Sequence, residues 1–366
     1  MGEEIRRLLF TEEPYSDESF MGYLLRLTEL NCFVKLSWLL QLSGLSKVLK
    51  LKALPGVNSN YDLELLSKVI GIDKTTLEPL IYKINQEVPN KLNPRYLLFG
   101  KSLPACFIYH RTSRLCLACL VEENYLRRIW EFAPITVCPF HKCLLMDHCP
   151  KCSKALIWNR SNVSKCPCGF DLRSAEPVIV SEGELRISQQ IYRLCELAEF
   201  DSNLKLAYPL NELDLFQFLR LIFLFASFWV GIGEPTGKGL IFHSSNLELH
   251  DCLYFVSVLF DNFPKGFFVF LDWITYQNYS DSGTARRSFK KYTRPNIERH
   301  PMEVFQTFLF SDFSSPQLDF IYLAYQEYLK FGERGYLPRT YFYADPILLR
   351  KIFLRLIKSG KTFIES

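Results

Sequence analysis

The chain carries almost no net charge: 43 Lys and Arg face 39 Asp and Glu, a formal +4 over 366 residues. Overall charge therefore does not mark it as a nucleic-acid binder, and any electrostatic footprint is local. Low-complexity tracts are missing too, as are collagen and coiled-coil periods, which removes the disordered and fibrous classes. Met1 to Glu13 is charged (Glu3, Glu4, Arg6, Arg7, Glu12, Glu13) and lacks the apolar core of a secretory signal, so a cytoplasmic location is expected. Long hydrophobic runs are scarce. Only Leu213 to Ile232 has the roughly 20 residues a membrane span needs. It holds Gln217 and Arg220, has Asp214 at its start and has no comparable partner segment, so a buried helix and no membrane association are expected.

What is abundant is apolar and aromatic. With 31 Phe and 19 Tyr the aromatic share reaches 15%, and hydrophobic residues make up 48% against 22% charged. That is enough to build two or three domains with cores of their own. From Pro14 onward Ser16, Asp17 and Ser19 are capping residues, and Phe20, Tyr23, Leu24, Leu27 and Leu30 follow at helical spacing, which predicts an amphipathic helix. A second apolar stretch runs from Phe33 to Leu45. Leu63 to Ile81 reads as helix, turn, helix about Gly71, with Ser67 four residues earlier and Leu66, Ile70, Ile72, Leu77 and Leu80 at packing positions. Pro79 falls where a recognition helix would continue, so packing or protein docking is favoured over base reading. After residue 176 the pattern is helical again, broken by Pro264, Pro295, Pro301, Pro316, Pro338 and Pro346.

Twelve cysteines are present, and nine of them lie between Cys106 and Cys168. In a reducing compartment, pairs this close are metal ligands rather than a disulfide framework. Cys116-Leu-Ala-Cys119 is followed by Cys138-Pro-Phe-His141, and Cys149-Pro-Lys-Cys152 by Cys166-Pro-Cys168. Each set offers the four soft or borderline donors that tetrahedral zinc takes. Cys143 and His148 are alternative donors, and the single residue between Cys166 and Cys168 leaves that turn's geometry open. Two complete sets of four imply structural rather than catalytic zinc, because a catalytic ion keeps an open position. The deaminase signature is absent: Pro150 follows Cys149 instead of preceding it, and no His-x-Glu occurs. Seven thiolates and two zinc ions would lower the formal charge from +4 to about +1.

The ordered combination of Arg114-Leu-Cys-Leu-Ala-Cys-Leu120, Tyr125-Leu-Arg-Arg-Ile-Trp130, Thr136-Val-Cys-Pro-Phe-His141, Leu144-Leu145 and Cys149-Pro-Lys-Cys152 resembles the zinc-finger core of the TniQ/TnsD family of bacterial transposition proteins. The opening helix Asp17-Glu-Ser-Phe-Met-Gly-Tyr-Leu-Leu-Arg-Leu27 is similar to the start of the same family. The resemblance covers roughly residues 14 to 170. It implies a non-enzymatic protein that helps choose where a transposon inserts, linking a target recogniser to an AAA+ ATPase of the TnsC kind. In the CRISPR-associated branch the recogniser is a Cascade-type complex with guide RNA, and such adaptors often dimerise. In the TnsD-like branch the protein itself binds a chromosomal attachment site on DNA. The ligands that carry over are Cys116, Cys119, Cys138, His141, Cys149, Cys152, Cys166 and Cys168, with Trp130 as packing for the first finger. Leu117 departs from the family, where many members have Pro.

Elsewhere, Arg286, Arg287, Lys290, Lys291 and Arg294, interleaved with Phe289 and Tyr292, can neutralise phosphates and stack on bases, or simply face solvent. Gly233 to Gly239 lacks the spacing and the Ser or Thr of a phosphate-binding loop, so nucleotide hydrolysis is not expected. His110, His243, His250 and His300 are scattered singly, and Cys32, Cys106, Cys195 and Cys252 read as small buried residues. A metal-dependent nuclease would need an acidic cluster, and none stands out. The expected architecture is therefore mainly α with small zinc-bound β and loop modules. It comprises an N-terminal helical domain (1–105) with a helix-turn-helix, a tandem zinc-finger module (106–175) and a helical C-terminal domain (176–366).

Overall fold

The computed structural model of the chain describes residues 7–45, 63–85, 95–109, 112–200, 205–229, 241, 244–276, 301–311 and 315–333. Contacts divide the chain into two compact units, Met1–Lys205 with Ser244–Asp251, and Leu206–His243 with Cys252–Ser366. The described residues are mainly helical, with two small antiparallel sheets.

In the first unit, helix α1 (Phe20–Leu30) opens at Ser19, whose hydroxyl accepts from the Gly22 amide at 3.0 Å. The segment around Leu126 closes over its first turn. The Ser19 amide donates to the Leu126 carbonyl at 2.8 Å, and the Arg128 amide donates to the Asp17 carbonyl at 2.7 Å. Gly22 permits this approach, because a Cβ there would stand 2.8 Å from the Leu126 Cβ and 2.7 Å from the Ser19 hydroxyl oxygen. Arg26 is buried and donates to both oxygens of Glu18, at 2.9 and 2.8 Å, beneath the rings of Tyr15 and Tyr23. A charge taken out of water is tolerated only when paired in this way. The amphipathic helix read from the sequence is thus almost wholly buried from Phe20 to Thr28.

Helix α2 (Leu36–Leu42) buries Leu36, Leu39 and Leu40. Across 63–81 the chain forms α3 (Leu63–Ile70), a turn at Gly71 with φ of 80°, and α4 (Lys74–Leu77), which passes into a 3-10 turn over Glu78–Leu80. The Ser67 hydroxyl fastens the turn through the Ile72 carbonyl at 2.6 Å. Pro79 has no N–H to extend the α ladder, so the second helix rises only about 6 Å, half the width of a major groove.

Strands β1 (Lys83–Ile84), β2 (Arg95–Leu98) and β3 (Lys101–Pro104) follow as an antiparallel meander. This sheet adds strands to the region before residue 105, where the sequence reading named only helices. The β2–β3 turn is Phe99-Gly100, with φ of 49° and 73°, the backbone of a two-residue hairpin. A Phe is rarely found at positive φ, which hid the hairpin from a sequence reading.

Just before the sheet, the Tyr82 hydroxyl donates to the buried carboxyl of Glu131 at 2.7 Å. Burial, outweighing the hydrogen bond from Tyr82 and the charges of Arg128 and Arg114, pushes Glu131 up to about 7. Its folded form then keeps a proton that the unfolded chain releases, so this residue lowers stability as pH rises from about 4.5 to 7. Glu131→Gln should flatten that decline in urea midpoints measured across the same window, and an unchanged slope would count against the buried, protonated carboxyl.

The second unit is built on aromatic packing. Helix α7 (Leu215–Trp229) buries Phe218, Leu219, Leu221, Ile222, Phe223, Leu224 and Phe225 almost completely. The Phe225 ring meets those of Phe270 at 4.8 Å and Phe260 at 5.1 Å. Among the described residues no helix is long and apolar enough to cross a membrane. The apolar run is a core helix, with Arg220 lying over the Phe216 ring. Two more helices of the chain, α5 (Leu117–Glu122) and α6 (Glu182–Leu194), frame the cysteine region. The helices α8 (Asn246–Asp261), α9 (Lys265–Tyr276), α10 (Pro301–Ser311) and α11 (Asp319–Glu333) complete the described elements.

Candidate metal centres

Cys116 stands at the N-terminal cap of α5 and Cys119 one turn later, so both sulfurs leave the same end of a short helix. Facing them is a two-stranded ribbon, β4 (Val137–Cys138) and β5 (Cys143–Leu144), whose connecting turn carries His141. The His141 Nδ1 lies 3.5 Å from the Cys116 Sγ, 3.2 Å from the Cys119 Sγ and 3.6 Å from the Cys138 Sγ, and the Cys119 and Cys138 sulfurs are 3.8 Å apart. Metal–sulfur bonds of about 2.3 Å and metal–nitrogen bonds of about 2.0 Å at tetrahedral angles require S···S near ~3.8 Å and S···N near ~3.6 Å. Four of its six edges, at 3.2 to 3.8 Å, are close to those lengths, and all four donors lie within 4.8 Å of one another.

Their protonation fits a cation as well. Hydrogen bonds from Cys116 and Cys119 hold the Cys138 thiol down to about 2, while the same contacts push Cys119 far up. Three sulfurs packed this closely cannot all ionise beside one another, and a divalent ion that binds each as thiolate removes the conflict.

The second set repeats the arrangement with four sulfurs. Cys149 Sγ is 3.7 Å from Cys168 Sγ, and Cys152 Sγ is 3.7 Å from Cys166 Sγ. All donor atoms of each set lie within 4.8 Å of one another, so each can hold a metal ion. The Phe170 amide, donating to its sulfur, holds Cys168 at about 7, and burial lifts Cys166 to about 12. One backbone feature unites three of the four ligand turns. The residue after the second ligand is left-handed in each: Lys142 at φ 50°, Ser153 at φ 55° and Gly169 at φ 85°. In the last two, the amide of that residue donates to the carbonyl of the first ligand, Ser153 to Cys149 at 2.8 Å and Gly169 to Cys166 at 2.9 Å. The shorter Cys166-Pro-Cys168 turn therefore closes like the longer one, with glycine at the position where positive φ costs least.

Residues 9–145 match the family model of TniQ, a span that takes in the opening helix and the whole first centre. Over this span the chain is similar to the TniQ family. A TniQ domain implies a transposition-associated protein. The match ends before Cys149, so the second centre lies beyond it. No curated protein matches the chain.

Within the TniQ domain, Glu122 was not singled out from the sequence. Its carboxylate sits 3.0 Å from the His141 Nε2, which leaves Nδ1 to face the sulfurs and fixes the ring. One helical turn from Cys119 is the only signal that could have pointed to it. Glu122→Ala should weaken zinc binding at the first centre by about tenfold to a hundredfold, read by competition with a chromophoric chelator. Unchanged affinity would mean that the carboxylate is an exposed neighbour and nothing more.

Buried polar residues brace the TniQ domain from outside the ligand motifs. Arg114 donates to the carbonyls of Ala133 and Phe132 at 2.9 and 2.7 Å and to Asn246 at 3.1 Å. Asn246 in turn donates its side-chain amide to the Thr136 and Leu145 carbonyls, both at 2.8 Å, and its backbone amide to Asp147 at 2.7 Å. His250 is a satisfied core histidine, between Thr136 and Glu184 at 3.0 and 3.3 Å. Beyond the match, buried Arg160 donates to the Ser113 hydroxyl and the Ile157 carbonyl, each at 2.8 Å. Trp130 is buried in the TniQ domain as expected of a packing residue. Cys143 lies 3.5 Å from the Cys116 sulfur but outside the set of four, and His148 pairs with Asp147 rather than with the second set. Cys195 and Cys252 are buried, whereas Cys32 is exposed, at a positive-φ position just beyond α1. The basic residues Arg286, Arg287, Lys290, Lys291 and Arg294 and the segment Gly233 to Gly239 lie outside the described residues.

Proposed function

We propose that the chain is a non-enzymatic adaptor for transposition target selection. It would join a CRISPR Cascade-type complex with guide RNA to an AAA+ ATPase of the TnsC kind and so direct RNA-guided DNA integration in the cytoplasm, at the nucleoid. The observation that carries this reading is the TniQ domain itself, in which the opening helix, the Tyr125–Arg128 segment and the first metal centre are interlocked. A part built this way transmits position rather than chemistry. Affinity comes from holding two partners at once, which raises the effective concentration of each for the other.

Two structural zinc ions fit the donor sets, Cys116, Cys119, Cys138 and His141 in one finger and Cys149, Cys152, Cys166 and Cys168 in the other. Zinc would cross-link the ligand turns there and add to the packing of a region that also buries Leu115, Trp130, Phe132 and Val137. The chain's own residues do the remaining work: Glu122 orients His141, Arg114 and Asn246 hold the ribbon, and Arg160 holds the loop between the Cys149 and Cys166 turns. The helix-turn-helix over residues 63–81 has a one-turn second helix, which favours packing or protein docking over base reading. The basic segment of Arg286, Arg287, Lys290, Lys291 and Arg294 would contact target DNA or guide RNA, and a homodimer is compatible with the adaptor role.

Affinity purification of the tagged chain from its host, with mass spectrometry and sequencing of bound RNA and DNA, tests this. Recovery of a multi-subunit CRISPR complex with guide RNA and the ATPase supports the adaptor. Recovery of the ATPase with one enriched DNA site and no RNA overturns it in favour of a TnsD-like reader of a chromosomal attachment site.

A further inference from the structure

The β4–β5 ribbon carries a third extended segment that no function above uses. Leu144 donates its amide to the Val178 carbonyl at 2.8 Å, Val180 donates to the Lys142 carbonyl at 2.9 Å, and Ile179 sits opposite Cys143 in antiparallel register. These bonds come from the residues on either side of Ile179. By the alternation of an antiparallel ladder, the N–H and C=O of Ile179 itself then point away from the ribbon, as does the C=O of Pro177. Among the described residues no backbone group bonds to them.

The side chains are as open as the edge. Val178 is 61% exposed and Ile179 68%, although successive residues on a strand point to opposite faces. A short apolar edge, free on both faces and with unpaired backbone groups, is a template for one more strand.

The flanking charges decide what kind of strand. Antiparallel pairing of two copies about Ile179 would bring Glu176 of one towards Glu182, the first residue of α6, of the other. Both are exposed, and like charges brought together disfavour pairing. Lys142 approaches Glu182 only to 3.7 Å within the chain. An extended segment with Lys or Arg three positions to either side of its centre meets both carboxylates instead.

We propose that the edge formed by residues 177–180 is a strand-addition site for an extended, apolar segment of a partner protein flanked by basic residues. Hydrogen–deuterium exchange on the full, zinc-loaded chain tests it, with the blocked peptide Lys-Thr-Val-Thr-Val-Thr-Lys as probe and its Glu-flanked counterpart as control. The Lys-flanked peptide is expected to slow exchange of the Ile179 amide and the Glu-flanked one to leave it unchanged. Ile179→Pro, which removes the outward N–H and the exposed side chain but neither bond to the ribbon, should weaken binding about tenfold. Should that variant lose its metal, Glu176→Lys decides. It makes the edge self-complementary, so it should dimerise in sedimentation and lose the preference for the Lys-flanked probe. Equal protection by both peptides overturns the proposal. So does a Glu176→Lys chain that stays monomeric and keeps the preference. Protection of Ile179 by the unmodified chain alone as its concentration rises would give the edge to a second copy.

Discussion

Cys119→Ser is expected to lower the zinc content from two ions per chain to one and to unfold the region around α5 and the β4–β5 ribbon. The Cys119 sulfur contacts both His141 and Cys138, at 3.2 and 3.8 Å, and its loss removes one vertex of the tetrahedron and with it three edges. Structural zinc contributes roughly 10 kcal/mol or more of apparent binding energy, and in a region held together by its metal that is folding energy. Among the described residues Cys143 is the sulfur next to the set that could be asked to replace it. It touches Cys116 from outside the set of four, so the double variant Cys119→Ser with Cys143→Ser should behave like the single one. Metal analysis and circular dichroism report the outcome, and a retained content of two ions would contradict the ligand set.

The second large effect is expected far from any metal. Gly266 lies in the first turn of α9, where a Cβ would stand 2.1 Å from the carbonyl oxygen of Leu259 in α8. The obstacle is backbone, so no rotamer change relieves it, and the two helices have to move apart. Phe260 and Phe267, next to this contact, both pack on Phe225, so the shift would propagate through the aromatic cluster. Gly266→Ala should therefore cost about 3 kcal/mol or more, at the upper end of overpacking effects. The check is a denaturant titration of the full chain. Leu259→Ala added to it should not restore the midpoint, because the clashing atom remains. Full stability in Gly266→Ala would mean that the helices do not approach so closely.

The ligand residues were legible because metal chemistry writes itself locally: two donors two or three residues apart, in four short turns of which three contain proline, form a pattern that needs no knowledge of the rest of the fold. Helix α1 was legible for a similar reason, through its caps and apolar spacing. The residues that hold these parts together were not. Arg114, Asn246 and Arg160 satisfy carbonyls exposed by irregular backbone, and Asn246 lies about a hundred residues along the chain from Asp147 and Leu145, which it bonds. Glu122 looks like any surface acid until the ring of His141 is placed beside it. Gly22 falls inside the opening motif, yet its role appears only when Leu126 is seen against it. The β2–β3 hairpin stayed hidden because tertiary packing holds Phe99 in a conformation that its side chain disfavours.

Zinc analysis of the purified full-length chain, combined with zinc X-ray absorption, tests the central claim most directly. Seven cysteines and one histidine shared between two centres require two zinc ions per chain, with a first shell averaging seven sulfurs to one nitrogen and Zn–S distances of about 2.3 Å. A single ion per chain, or a shell in which oxygen replaces sulfur, would contradict the two-centre reading and with it the rigid platform on which the adaptor function rests.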